Sequence, residues 1–303
     1  MLFTILYSII LPVFVLVGLG FGLDRRLRFD MRTLADLNFY IFVPALVFVH
    51  LVQTELPMAT LLAVGGFCVA HGAIMYVTGR LVFATHPALR QKETVLSLGT
   101  VFYNAGNYGI PLIVLAFGHE HLEVIAAVLI VQNFLSFTFG IGLLERNRRT
   151  GRMLVNLIKV PTIQAIVLAV IVRLTAIDWA AVEPLARPAR FLADGLVPVA
   201  LLTLGVQLSR ARPRGIGAPM LAITTLRLLV SPLVAAGMTV VFGFQPPVAS
   251  VLIVAAGLPV AVNVAILAGV YQQDADLASQ AVFWSTMLSA VTISVLLLWL
   301  QPL

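Results

Sequence analysis

Residues 102–111 read Phe102-Tyr103-Asn104-Ala105-Gly106-Asn107-Tyr108-Gly109-Ile110-Pro111, which sets two amides, two glycines and a proline inside an otherwise apolar stretch. Proline removes a backbone donor and clashes with the preceding turn, at a cost of about 3 kcal/mol in a helix interior, and glycine brings no packing to offset it. A helix passing through this run is expected to break. A second run, Gly257-Leu258-Pro259-Val260-Ala261-Val262-Asn263, again holds an amide and a proline four residues apart, as Asn107 and Pro111 do in the first.

Both runs sit in a chain whose solvent is lipid. It is 60% hydrophobic and 11% charged over 303 residues, with mean hydropathy +1.04, whereas a soluble domain carries about a quarter charged residues. Ten apolar stretches can be marked near 3–22, 34–53, 58–80, 94–117, 122–143, 155–176, 185–208, 217–242, 247–270 and 278–301. Each is long enough at about 1.5 Å per residue to cross a hydrocarbon core of about 30 Å. Backbone amides in lipid need internal partners, so the expectation is an all-α polytopic membrane protein with ten transmembrane helices. The connections leave no room for a soluble catalytic domain.

Of the 19 Lys and Arg residues, 15 lie in or beside the odd-numbered connections: Arg25, Arg26, Arg28 and Arg32; Arg80, Arg90 and Lys92; Arg146, Arg148, Arg149, Arg152 and Lys159; Arg210, Arg212 and Arg214. Even-numbered connections carry Glu55, Glu120, Asp178 and Glu183. The positive-inside rule then puts the odd connections in the cytoplasm and both termini outside an inner (plasma) membrane. The sequence pI of about 10.0 thus reports topology, and no nucleic-acid partner is expected. The first stretch lacks a basic residue before it and ends in Asp24-Arg25-Arg26, so it reads as a span and not as a cleaved signal peptide.

The halves 1–150 and 151–303 would each hold five spans, and an odd count inverts the second copy relative to the first. Pro12, Pro44 and Pro111 recur in order as Pro161, Pro198 and Pro259. Pro44-Ala45-Leu46 parallels Pro198-Val199-Ala200-Leu201, and Leu115-Ala116 parallels Leu267-Ala268. Inverted repeats with discontinuous helices are a device of alternating-access carriers. Broken helices 4 and 9 crossing at the midplane would turn free N-terminal amides towards a bound anion, and Asn side chains would donate to a carboxylate. The plainer alternative is a pair of kinks in which Asn residues glue helices together.

Other polar groups fall within the spans. Asp194 and Arg227 are ionisable residues at membrane depth, where function is the default suspicion; Arg227 would attract an organic anion or pair with Asp194. Asp36 and Asn38 would line the cytoplasmic mouth or carry a proton, or Asp36 would simply sit near helix N-terminal amides. His71 is a proton-shuttle candidate that reads more simply as a structural residue. His119 and His121 around Glu120 are expected to be solvated, so no metal site is expected, and the lone Cys68 forms no intramolecular disulfide. No hydrolase triad, zinc motif or phosphate loop is present, so catalysis is not expected.

At these residues the chain resembles the auxin efflux carrier family. Asn104 to Pro111 with Leu112 and Gly118 is similar to the family's Asn-to-Gly-x-Pro-Leu stretch. Gln132-Asn133 with Glu145 is similar to its span-5 pattern, and Leu258 to Asn263 with Leu267-Ala268, Tyr271, Leu277-Ala278 and Ala281-Val282 to its last two spans. Pro198 to Leu208 resembles Pro-x-Ala-Leu-x-x-x-Gly-x-x-Leu through Gly205. The resemblance implies a crossover fold in which spans 1, 2, 6 and 7 form a scaffold, possessing the surface for a homodimer, and spans 3 to 5 with 8 to 10 form a transport domain.

The function it implies is secondary transport of small organic anions, carboxylates such as malonate and malate or auxin-like acids, by an elevator-type shift. Asn104, Asn107 and Asn263 would bind the carboxylate, Pro111 and Pro259 would hold the breaks open, and Gln132 and Asn133 would complete the lining. Val260 stands where plant members tend to be polar, and the link Glu145 to Arg152 replaces their long loop, which favours a bacterial-type organic acid over auxin. Proton coupling or uniport is favoured over sodium because few carboxylates lie near the breaks in sequence, and no cofactor is expected. A ligand sensor without transport and an anion channel on the same scaffold are the alternatives.

Overall fold

Uninterrupted runs of apolar residues fold as expected, into helices; the first break falls at 102–104, ahead of both glycines and Pro111, and the second at 257–261, around Pro259. The computed structural model describes residues 1–54, 56–144, 160–175 and 182–300. Its helices of eight residues or more are α1 Leu2–Leu27, α2 Met31–Gln53, α3 Met58–Ala84, α4 Glu93–Val101, α5 Ala105–Phe117, α6 His119–Leu144, α7 Pro161–Leu174, α8 Glu183–Arg210, α9 Ala218–Val241, α10 Val248–Ala256, α11 Val262–Val270 and α12 Ala275–Leu300. Among the described residues there is no sheet, only one isolated antiparallel bridge.

Seven helices, α1, α2, α3, α6, α8, α9 and α12, are long and apolar enough to cross a membrane. The stretch expected at 94–117 is divided into α4 and α5, and that at 247–270 into α10 and α11; α7 is the described part of 155–176. Glu55, Asp178 and the link from Glu145 through Arg146, Arg148, Arg149 and Arg152 to Lys159 lie outside the described residues. The outward faces remain apolar, with Phe3, Leu62, Leu174, Val240 and Val241 all exposed, as a lipid solvent allows.

The prolines act differently from one another. Pro12, Pro44, Pro111 and Pro232 each follow by two residues a π-helical turn, at Leu6–Ile10, Asn38–Phe42, Ala105–Gly109 and Leu226–Val230. A proline has no N–H to return to residue i−4 and pushes that carbonyl away, so the turn before it widens while the helix continues. Pro161 instead begins α7, and Pro198 lies within α8. The matched proline pairs therefore do not play matched local parts.

Packing brings α1, α2, α7 and α8 together, α8 along α1 and α7 along α2. Gly20 and Gly205 make the α1–α8 contact a backbone one: a Cβ at Gly20 would overlap the Leu202 carbonyl, and one at Gly205 would overlap the Val17 carbonyl. Small residues at such points let membrane helices approach closely. Arg210 closes one end of this pair, donating from Nη2 to Asp24 Oδ1 at 2.9 Å and from Nε to Oδ2 at 3.2 Å. Elsewhere α3 packs on α4 and α6, α10 on α9 and α6, and α12 on α9 and α11.

Candidate functional site

The two breaks are bonded to each other. Tyr103 and Val260 form the isolated antiparallel bridge, in which Asn104 N–H donates to the Pro259 carbonyl at 2.9 Å and Ala261 N–H to the Phe102 carbonyl at 3.0 Å. Val260 N–H donates to Ser285 Oγ on α12 at 3.0 Å. Three N–H groups of the unwound backbone are thus taken up by the other unwound strand and one serine, as backbone without helical partners requires in an apolar surrounding. The unwound links are 102–104 and 257–261, so Pro259 lies in a break, whereas Pro111 lies in the first turn of the α-helical part of α5.

Beyond the bridge, α5 and α11 begin. Asn104 caps α5, its Oδ1 accepting the Asn107 N–H at 3.1 Å. No side chain caps α11, whose N-cap is Ala261. Against these two helix starts lies a cavity of about 100 Å³. Its wall includes Asn104, Asn107, Gln132, Asn133 and Asn263, five of the expected site residues, together with Tyr103, Ser136, Gln207 and Asn38. Pro111 and Pro259 are not on it.

Some side-chain atoms of these residues are shut off from solvent and lack partners. Asn38 Oδ1, Asn104 Nδ2 and Gln207 Oε1 are buried without a hydrogen bond, and the Gln132 carboxamide, beside the Tyr103 hydroxyl, closes none of ordinary geometry. Buried polar atoms in folded proteins nearly always have partners, and those that do not call for an explanation. Among the described residues no Asp, Glu, Lys, Arg or His stands on the wall. A second cavity, of about 760 Å³, shares Ala35, Phe39, Gln207, Val262, Asn263 and Ile266 with the first and is also lined by Arg32, Asp36 and Arg210.

Arg227 occupies the reverse side of the bridge, at the ends of α4 and α10. It is fully buried; its Nη1 donates to the Thr100 carbonyl at 2.6 Å, and its Nη2 donates to the Ala256 carbonyl and to Ser231 Oγ. Ser231 Oγ donates onward to the Ala256 carbonyl at 2.7 Å and lies 3.2 Å from His71 Nε2. The guanidinium stands 4.9 Å from the Tyr103 ring centre, within cation–π range. The expected pairing with Asp194 is not formed: Asp194 is exposed on α8, and the guanidinium is taken up by carbonyls.

The remaining expected residues lie apart. Asp36 is exposed, 3.8 Å from Arg32, on the larger cavity. Asn38 is buried instead of at the mouth and donates from Nδ2 to Thr203 Oγ1 at 3.0 Å. Among the described residues no group of three His, Cys, Asp or Glu side chains is placed to hold a metal ion. Sequence reasoning missed Tyr103, Ser136 and Gln207; Ser136 opens a further π-helical turn, Ser136–Gly140, but neither it nor Gln207 sits in a run that marks it.

A family model described as membrane transport protein matches residues 5–297. An uncharacterized transporter of Methanothermobacter thermautotrophicus is 29% identical, the match covering 94% of this chain and 95% of the relative. A Rhizobium meliloti protein described as "Putative malonate transporter" is 23% identical, over 96% of this chain and 94% of its own length. An uncharacterized transporter of Methanocaldococcus jannaschii is 22% identical, over 95% and 96%.

Proposed function

The chain belongs to the membrane transport protein family, the auxin efflux carrier family that its motifs resemble, and from that membership we propose that it is a secondary carrier of small organic anions of the carboxylate class. The observation that carries this reading is the cavity at the paired breaks, where two helix N-termini meet the amide side chains of Asn107, Asn133 and Asn263 with no charged side chain among the described wall residues. Each N-terminus acts as roughly half a positive charge, and amide N–H groups suit a carboxylate, which only accepts. A cavity of about 100 Å³ suits a short acid, and the Rhizobium relative's description names malonate.

In this reading the chain has ten spans in two inverted repeats, 1–150 and 151–303, with the interrupted helices α4–α5 and α10–α11 crossing at the bridge. The mutual packing of α1, α2, α7 and α8 supports a scaffold made of them, through which two copies would pair, and the other helices carry the site past it in an elevator-type shift. Basic connections lie in the cytoplasm and both termini outside the inner membrane. The wall residues shared with the larger cavity, which Arg32 and Arg210 also line, support a state open to the cytoplasm. A wall without acidic residues favours uniport, or proton coupling through a group elsewhere, over a sodium site. No group on it suggests an enzyme.

The test is uptake of labelled malonate, malate and indole-3-acetate into proteoliposomes, with potential, proton and sodium gradients imposed separately. Saturable uptake of one acid is expected, with a tenfold or greater loss in Asn107→Ala and in Asn263→Ala. Unchanged kinetics in both variants would remove the site assignment. No uptake under any gradient would favour a sensor.

A further inference from the structure

Arg227 carries a charge that its hydrogen bonds do not require. It is fully buried, and among the described residues the groups it touches are all neutral: the Thr100 carbonyl at 2.6 Å, the Val101 carbonyl at 3.4 Å, the Ala256 carbonyl, Ser231 Oγ and the Tyr103 ring. Its Nε has no partner. Ser231 Oγ donates to the Ala256 carbonyl at 2.7 Å, so a neutral hydroxyl can serve such a helix end. A buried guanidinium costs far more to desolvate than a hydroxyl, and an ionisable group at membrane depth is a functional candidate by default.

The charge matters because the helix ends at the paired breaks cancel. α4 and α10 each end with about half a negative charge, and α5 and α11 each begin with about half a positive one. Set on the two sides of one bridge, the four ends sum to about zero, and Arg227 turns that sum to about plus one. Between Arg227 and the cavity stands Tyr103, whose ring centre is 4.9 Å from the guanidinium and which also lines the cavity. Both residues are buried, so water and salt do little to screen the field that passes between them.

We propose that Arg227 supplies the net positive potential that holds an anion in the cavity, acting across Tyr103 and without touching the anion. The inference rests on the anion-carrier reading above and goes beyond it in placing a specificity-determining residue on the far side of the bridge. In that reading α9 is one of the helices that carry the site, so the charge stays beside the cargo throughout the shift. Cancelling the charge weakens the hold on the anion while every hydrogen-bonding group on the cavity wall stays in place.

The experiment keeps Arg227 and cancels its charge. Ser231 Oγ accepts from Arg227 Nη2, so Ser231→Asp sets a carboxylate against the guanidinium, and Ser231→Asn is the neutral variant of the same shape. Uptake of labelled malonate into proteoliposomes is followed over a range of concentrations and normalised to folded protein. Ser231→Asp is expected to raise KM about tenfold over Ser231→Asn, the effect of one unit charge at roughly 10 Å where the effective dielectric is about 20. The maximal rate is expected to differ less than about threefold between them, the pattern of lost uniform binding. Arg227→Lys keeps the charge without the planar fork and is expected to hold KM within about threefold of the wild-type value. Equal KM in the two Ser231 variants would overturn the inference. A tenfold rise in KM in Arg227→Lys would overturn it too, and that variant decides by itself if Ser231→Asp does not fold. In both cases saturable uptake leaves the carrier reading standing, whereas no uptake by the wild-type protein under any gradient would sink that reading and this inference with it.

Discussion

The two sides of the paired breaks carry opposite kinds of helix end and are treated in opposite ways. On one side α4 and α10 end, and the chain supplies a cation to their negative ends: Arg227 binds the Thr100 and Ala256 carbonyls. On the other side α5 and α11 begin, and among the described residues no Asp or Glu on the cavity wall meets their positive ends. Helix dipoles favour opposite charge at both termini. One side is closed by the protein's own groups. The other is left with unpartnered amides, and under the proposed function its counter-charge is the cargo. A buried polar group with partners marks structure, and one without them marks a place for something brought in.

Removing Arg227 breaks this contrast most severely. Arg227→Met leaves the buried Thr100 carbonyl without a donor and the Ala256 carbonyl with Ser231 alone, and removes the charge facing both helix ends, a loss on the order of 3 kcal/mol. The melting temperature in detergent is expected to fall by roughly 10 °C, with reduced membrane yield. Arg227→Lys keeps the charge without the planar fork that reaches both carbonyls, and falls between. A melt unchanged in Arg227→Met would mean that the closed side is not held by this residue.

Asn104→Ala probes the open side with a smaller effect on stability. It removes the cap on the Asn107 N–H, about 1 kcal/mol, but also an amide at the start of α5 beside the cavity. Uptake efficiency is expected to fall about ten- to a hundredfold, while the melting temperature moves only a few degrees. If Asn104→Ala instead lowered the melting temperature as far as Arg227→Met, with uptake falling only in proportion to folded protein, the two sides would be alike and the contrast would fail.

How much of this was legible in the sequence depends on where the cost lies. Asn104, Asn107 and Asn263 stand out because amides beside glycine and proline are expensive in an apolar helix, whatever the partner. The spans stand out because lipid demands long apolar runs. Gln207 and Ser136 reach the same cavity from continuous helices whose neighbours are ordinary, so only the pairing of the breaks reveals them. Arg227 was visible as a costly cation, but Asp194 was the one visible partner on offer. Its true partners are carbonyls, which every residue carries and no sequence pattern marks. Pro111 misled in a similar way: the ring widens the turn before it, while the unwinding at 102–104 follows from the bridge to Pro259 and Ala261.

The smallest expected effect concerns a charge pair that is closed like the Arg227 side but lies outside the spans. Asp274, between α11 and α12, accepts from Lys92 Nζ at 2.5 Å and from the Leu277 N–H at 3.0 Å. Partial burial pushes its carboxyl up, but the Lys92 and Leu277 hydrogen bonds, with the charges of Lys92 and Arg214, outweigh it and hold the group below the ordinary aspartate value of 3.8. A folded pKa below the unfolded one gives stability that is complete above the unfolded value and lost as pH falls through the folded one. The pair is partly solvated, so the loss is a few tenths of a kcal/mol, read as a slight fall in melting temperature from about pH 6 to about pH 3 that is smaller in Asp274→Asn. The described residues of the cavity wall include no carboxyl to protonate, so acid weakens such partnered links while leaving the wall's own amides unchanged. A fall in melting temperature over that range as large in Asp274→Asn as in the wild-type protein would place the acid sensitivity elsewhere.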